Sequence, residues 1–211
     1  MPYSTIKMCH KIFGLEVIAS GFQELSPSER EQIFSFRKKV FVDRNNWKIE
    51  SYKGGVIECD EYDDDDAKYI YIASSDCILG CVRLRPSTSP TLLTGPFKWL
   101  KESSKSWQVQ TEDTWEASRF FITQHSKKCY EQGGIDRRTY ALFISMIQFG
   151  VISGFAYYEV VVDEKMARIL RRSGWTLEVL NKGVGNKNEI IYYGLLPCDS
   201  KIFEHIMYAM G

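Results

Sequence analysis

Charge placed inside strand-like runs restricts the fold of this chain more than any other feature. CILGCVRLRPS (77–87) is apolar enough for a buried strand, yet it carries Arg83 and Arg85. TWEASRFFI (114–122) does the same with Glu116 and Arg119. Successive side chains of an extended chain point to opposite faces. Arg83 and Arg85 should therefore share one face, with Val82 and Leu84 on the other. By the same rule Glu116 and Ser118 should project one way, and Ala117 and Arg119 the other. A lone charge is costly to bury, so a sheet built from these runs must bring opposite charge to its arginines. The complement stands in CDEYDDDDAKY (59–69), where only Tyr62 interrupts the acids of positions 60–66. Arg37 adds a further cation on a helical stripe otherwise made of Ile33, Phe36, Val40 and Phe41. Arg37, Arg83 and Arg119 could form an internal ion-pair network with Asp60 and Asp63, leaving Asp64, Asp65 and Asp66 solvated. The competing readings are an acidic run that is solvated throughout and strand arginines on an exposed face. A calcium loop is disfavoured, because the D-x-[DN]-x-[DN]-G spacing and its glycine are missing.

The remaining elements alternate. SPSEREQIFSFRKKVFVDR starts a helix: Ser26 caps, Pro27 suits the first turn and Glu29 completes the capping box. KYIYIASSD and CILGCVRLRPS read as a hairpin. A long helix is expected from about Asp136 to the residue before Gly154, with Leu142, Ile144, Met146, Phe149 and Val151 on its core face. YYEVVVD is an unbroken apolar strand. EKMARILRRSG is a short amphipathic helix stopped by Gly174. WTLEVLN, EIIYYGLLP and KIFEHIMYAM add two strands and a closing helix. The order is helix, three strands, helix, strand, helix, strand, strand, helix. It predicts a mixed α/β (α+β) chain, a three-layer αβα sandwich around a mixed central sheet. One domain spans 1–211, with a helix and mobile lid region to about residue 57 and the sheet core after it.

Composition removes several functions. Lysine plus arginine and aspartate plus glutamate each total 27, so no net field points to nucleic acid or a membrane surface. No apolar run is long enough to span a bilayer. The six cysteines and three histidines are scattered, without metal-ligand spacing, which predicts free thiols in a cytoplasmic protein and no metal. Phosphate-binding glycine loops and a G-x-S-x-G elbow are missing.

Four segments in order, FRKKVFVDRNNW (36–47), ECDEYDDDDAKYI (58–70), GCVRLRPSTSPTLLTGPF (80–97) and WEASRFFI (115–122), resemble the acyl-homoserine-lactone synthases of the LuxI type. The match carries Arg37, Phe41, Trp47, Asp60, Asp63, Arg83, Glu116 and Arg119, and continues more loosely through ILRRSGW (169–175) to about residue 197. The resemblance implies a fold like that of the GCN5-related N-acetyltransferases. It also implies a reaction of two substrates, S-adenosylmethionine and an acyl chain on acyl carrier protein, with no cofactor. The amine is acylated, the methionyl carboxylate closes the lactone and methylthioadenosine leaves.

That chemistry assigns expectations to residues. Glu116 is the first candidate for a general base, with pairing to an arginine as its alternative. Asp60, Asp63 and Arg83 complete the catalytic set. Arg37, Phe41, Trp47 and Arg119 are expected to hold S-adenosylmethionine, the aromatics facing its sulfonium or simply pinning the core. Phe97, Leu142, Met146 and Val160 are expected to line the acyl pocket. Val160 stands where many relatives making 3-oxo products carry threonine, which favours an unsubstituted chain. Lys165, Arg168, Arg171 and Arg172 would dock the acidic carrier, and Lys127, Lys128, Arg137 and Arg138 form another basic stretch. A plain acyl-CoA N-acetyltransferase is the alternative enzyme, but TQHSKKCYEQGG after RFFI lacks its pyrophosphate loop. A ligand-binding module that keeps the pocket without turnover is the non-enzymatic alternative.

Overall fold

The capping box forms as the sequence predicts. Ser26 accepts from the Glu29 amide, and the Glu29 carboxylate accepts from the Ser26 amide at 2.8 Å. It opens α1 (Pro27–Arg37) in a computed structural model that describes residues 8–75, 77–104, 111–124 and 134–210. The helix widens into a π-helical turn over Lys38–Arg44, a conformation common at functional sites.

Eight strands make one sheet: β1 (Met8–Ile12), β2 (Leu15–Gly21), β3 (Lys68–Ser74), β4 (Cys77–Pro86), β5 (Thr114–Ile122), β6 (Tyr157–Asp163), β7 (Glu178–Val184) and β8 (Ile190–Pro197). Their order is β1-β2-β3-β4-β5-β6-β8-β7, with β5 and β6 parallel and the other neighbours antiparallel. The β3–β4 hairpin is as expected. The β1–β2 hairpin is not, because it lies in the region assigned to helix and lid. Glu16 breaks its apolar run, yet pairing with β3 buries Val17 and Ile18.

Side-chain parity divides the layers. Tyr69, Tyr71, Cys81 and Phe121 face α1, together with Ile33, Phe34, Phe36 and Phe41. Ile70, Ile72, Val82, Leu84 and Ala117 face α3 (Arg137–Ser153), α4 (Glu164–Ser173) and α5 (Ser200–Met210). Sheet and two helical layers give the αβα sandwich. Gly154 and Gly174 end α3 and α4 with φ of 78° and 85°, which residues with a Cβ rarely adopt. Val151 is a correction to the α3 core face: it is 44% exposed near the helix end. A short helix, α2 (Lys98–Glu102), stands within the connection read as irregular. Among the described residues no helix is long and apolar enough to cross a membrane.

Two features open the sheet at its centre. The β5–β6 ladder consists of Thr114–Tyr157, Trp115–Tyr158 and Glu116–Glu159 and stops there, so the strands diverge beyond Glu116. Beside that divergence β5 carries one extra residue. Cys81 pairs with Phe121 but Arg83 pairs with Ser118, a bulge with Arg119 at φ 56°.

Candidate active site

The bulge decides which side Arg119 takes. Strict alternation would send it to the α3 face with Ala117. Instead its guanidinium joins the ions on the α1 face, donating to Glu58 at 3.0 Å and to Asp60 at 2.8 Å. The alternation expected for Arg119 is thereby corrected, and the extra residue is the reason. Arg83 and Arg85 do share a face, and Val82 and Leu84 the other.

The network has three cations and three anions. Arg37 donates to Glu58 at 2.6 Å and to Asp63 at 2.7 Å. Arg83 binds Asp60, reaches Asp63 at 2.9 Å and donates to Ser118 at 3.2 Å. Tyr69 donates its hydroxyl to Asp63 at 2.7 Å. Glu58 was missed in the sequence because it precedes the acidic run. It is fully buried, and its amide is fixed on the Phe34 carbonyl at the end of α1. Its spacing from Asp60 is the one signal that pointed to it, since residues two apart share a side in extended chain. Burial alone would raise the Glu58 and Asp63 carboxyls. Arg37 and Arg119 overcome this at Glu58, and Arg37 and Arg83 at Asp63, so both are held below the usual carboxylate range.

Asp64 is exposed, as expected of the tail, but its carboxylate is also paired. It binds Arg85, whose guanidinium also donates to the Tyr62 and Pro90 carbonyls at 2.7 and 2.9 Å. Arg85 thus fastens the acidic loop and the segment after β4 to one strand. Asp65 and Asp66 stay exposed.

Glu116 stands apart from the ion pairs. Its carboxylate accepts the Leu93 amide at 2.8 Å and the Leu92 amide at 3.2 Å. Burial pushes its pKa up, outweighing those amides and the charge of Arg83. A buried carboxyl raised in this way is a stronger proton acceptor than an ordinary glutamate.

Asp60, Glu116, Ser118 and Arg119 border a cavity of about 1230 Å³. Its lining comes from both faces of the sheet: Phe41, Trp47, Asp60 and Phe97 on the α1 side, Phe143 and Met146 on the α3 side. The cavity passes between the divergent strands, with Glu116, Ser118 and Arg119 on one lip and Val160, Val161 and Val162 on the other. Phe41 and Trp47 stack with centroids 5.2 Å apart, and the Trp47 amide donates to the Phe41 carbonyl at 2.8 Å. The β7–β8 turn closes this wall. Asn186 donates to the Lys48 carbonyl at 2.8 Å and Lys187 to that of Asn45 at 2.6 Å.

Most expected site residues therefore meet. Arg37 and Asp63 are in the network behind the wall; Phe41, Trp47, Asp60, Glu116 and Arg119 line the cavity. Phe97, Met146 and Val160 line it as well. Leu142 does not; it is buried in the core with a methyl toward Gly80, while Thr139, Phe143 and Met146 take the cavity face of α3. Lys165, Arg168, Arg171 and Arg172 are exposed on α4, and Lys165 and Arg172 reach the cavity rim. Arg138 is not a free surface cation: it is buried, paired with Asp136 at 2.7 Å and donating to the Thr123 carbonyl. Arg137 lies 5.9 Å over the Phe13 ring. Lys127 and Lys128 lie outside the described residues.

Comparison with known proteins joins this geometry to a family. The model of the autoinducer synthases matches residues 21–206. An acyl-homoserine-lactone synthase of Yersinia enterocolitica is 32% identical over 187 residues, covering 88% of this chain and 84% of that protein. Among solved structures, BjaI, a CoA-dependent acyl-homoserine lactone synthase with SAM and isopentyl-CoA, is similar with a TM-score of 0.77 at 19% identity, over 92% of this chain and 88% of that one. An acyl-CoA N-acyltransferase from Pseudomonas aeruginosa shares the fold more distantly, with a TM-score of 0.56 at 11% identity over 86% of this chain and 99% of that one.

Proposed function

The chain belongs to the autoinducer synthases, acyltransferases that form acyl-homoserine lactones, and we propose that it joins an acyl chain from acyl carrier protein to S-adenosylmethionine. The observation that carries this reading is the buried Glu116 carboxyl, raised in pKa, on the lip of a cavity that passes through the sheet beside an arginine–carboxylate network. Glu116, directly or through a water, takes a proton from the substrate ammonium. The freed amine attacks the thioester carbonyl carbon. Amide N–H groups of β5 beyond the last rung with β6 supply donors for the developing oxyanion. The C–S bond of the thioester breaks and the carrier thiol leaves. The methionyl carboxylate oxygen then attacks the γ carbon, and the C–S bond to the sulfonium breaks, giving the lactone and methylthioadenosine.

The remaining parts suit this sequence of steps. Phe41 and Trp47 offer a stacked aromatic wall to a sulfonium. Asp60 and Asp63 hold Arg83 and Arg37 behind the cavity wall and Asp60 holds Arg119 on its lip, which sets the position of the Asp60 carboxylate facing the cationic substrate. A volume of about 1230 Å³ exceeds that usual for one small molecule and leaves room for two substrates. Phe97, Met146 and Val160 receive the acyl chain, which carries no 3-oxo group, because Val160 has no hydroxyl to donate. The exposed α4 cations at the rim form the dock for an acidic carrier. Both organic components are consumed, so no resident cofactor is required. The enzyme works in the cytoplasm, in keeping with described cysteines that are all free thiols.

Mass spectrometry of medium from a lactone-free bacterial host expressing the chain tests the function. The homoserine-lactone fragment ion with an unsubstituted acyl partner is expected. Its absence with soluble protein, followed by no methylthioadenosine release from S-adenosylmethionine with a panel of acyl carriers and CoA thioesters, would overturn it. BjaI is named as CoA-dependent, so the panel must include both donors.

A further inference from the structure

A second buried carboxylate stands beside Glu116 and has no part in the steps above. Glu159 occupies the opposite position in the last rung of the β5–β6 ladder, on the same face, and is only 2% exposed. Four side chains surround it. Lys101 approaches its two oxygens at 2.7 and 2.9 Å. Ser87 donates at 2.7 Å, Tyr193 at 2.5 Å and Thr114 at 3.5 Å. None of Glu159, Lys101, Ser87 and Tyr193 is among the described residues lining the cavity.

The contacts have a common product. Ser87 begins the connection that follows β4, and Lys101 lies in α2 at its other end. Between them are Leu92 and Leu93, whose amides hold Glu116. This stretch contains Pro90, Gly95 and Pro96 and pairs with no strand, so few ladder bonds fix it. Its own turns, Gly95 to Thr91 at 3.0 Å and Phe97 to Leu92 at 2.8 Å, shape the bend but do not attach it to the sheet. Attachment comes from the Ser87 amide on the Thr114 carbonyl at 3.0 Å, from Arg85 on the Pro90 carbonyl, from Asn181 on the Leu100 carbonyl at 2.8 Å, from Leu93 and Leu100 packed against Ile191 and Tyr193, from Glu116 itself and from Glu159, which alone holds side chains at both ends.

We propose that Glu159 and Lys101 form a buried latch that positions residues 87–102 so that the Leu92 and Leu93 amides stay aimed at Glu116. Both are positioning residues, acting on Glu116 through the backbone and not touching substrate. The function of the latch rests on the reading of Glu116 as the base; its structural part does not. Other groups also face Glu116: Arg83 and the cross-strand Arg85 from β4, Tyr62 from the acidic loop, the Thr91 side chain from the segment itself, and Glu159 from β6. Lys101 is the cation that balances Glu159 there, so its loss leaves an extra negative charge beside Glu116 as well as a loosened segment. Both effects favour the protonated base.

Three variants of the full-length enzyme separate the possibilities. Lys101→Met is expected to speed hydrogen exchange of the Leu92 and Leu93 amides at least 10-fold, with β3 and β4 amides unchanged. The acid limb of kcat against pH should move upward by half a unit or more, with KM for S-adenosylmethionine within 2-fold of wild type. Lys101→Arg should restore both. Glu159→Gln should repeat the exchange result if it folds; Lys101 is partly exposed, so its variants carry the test if Glu159→Gln does not. Unchanged exchange at Leu92 and Leu93 would overturn the latch. Faster exchange with an unmoved pH profile would overturn its role in catalysis. Glu116→Gln is run beside them: retained turnover there would remove Glu116 as the base while leaving the exchange result to judge the latch alone.

Discussion

Arg119 donates to Glu58 at 3.0 Å from a strand position that simple alternation assigns to the opposite face of the sheet. One inserted residue in β5 makes the contact possible, and the positive φ of Arg119 is the local cost. The pair closes the charge balance of the network formed by Arg37, Arg83 and Arg119 with Glu58, Asp60 and Asp63. Without Glu58, three buried guanidinium groups would face two carboxylates.

Replacing Glu58 by glutamine should therefore be severe although the residue lies outside the acidic run. Removing one partner of a buried ion pair typically costs about 3–5 kcal/mol. A fall of that order in the free energy of urea unfolding is expected, with an unchanged slope. A loss under about 1 kcal/mol would show that water or rearrangement replaces the carboxylate.

Glu116→Gln keeps an acceptor for the Leu92 and Leu93 amides but cannot take a proton. Stability should stay close to wild type while methylthioadenosine release falls by roughly 10²–10⁴-fold. Asp60→Asn should also remove most turnover, because it releases Arg83 and Arg119 together. Initial rates near wild type in either purified variant would take that residue out of the reaction.

Stability should fall on acidification. Glu58 and Asp63 have folded-state pKa values below their unfolded ones, so their contribution is complete above about pH 4 and is lost as pH falls toward the folded values. Glu116 acts in the opposite sense: its raised value favours the folded state at low pH, and that contribution is lost as pH rises. Asp64, paired with Arg85, is lowered too but is half exposed and adds little; the lowered carboxyls outweigh the one raised and give a net loss, to be read as a declining urea midpoint between pH 5 and pH 3. Glu58→Gln should flatten the decline, and an equally steep curve in that variant would assign it to other groups.

Val160 lines the cavity without a hydroxyl. Val160→Thr should raise the share of 3-oxo products in the medium, measured by mass spectrometry against wild type with both acyl donors available. An unchanged product ratio would place the 3-position of the chain elsewhere.

Charge reversal at Arg168 and Arg172 should raise KM for acyl carrier protein about 10-fold or more, with KM for S-adenosylmethionine unaltered. Steady-state kinetics with each substrate varied in turn gives the answer, and an equal KM for the carrier would move the dock off α4.

Much of this architecture could be read before folding was considered. The Ser26 capping box, the β3–β4 hairpin and the shared face of Arg83 and Arg85 depend on neighbours within a few residues, and all form. Misplaced features depend on distant partners. The bulge at Arg119 is a matter of register between β4 and β5, which no local pattern encodes. The β1–β2 hairpin is closed locally by Phe13 and Gly14, both at positive φ, but the burial of Val17 and Ile18 comes from distant pairing of β2 with β3. Leu142 and Phe143 are adjacent apolar residues of α3, and only the splay of β5 from β6 decides which one meets the cavity. Glu58 is selected by two arginines from separate elements, far away in sequence.

The divergence of β5 from β6 also bears on traffic. Residues from both faces line the space between the strands, so a molecule held on the α1 side leaves the α3 side unobstructed. For the reaction proposed above, the two substrates are expected to occupy opposite sides of the sheet within one cavity, so initial-velocity lines measured with each varied in turn should intersect.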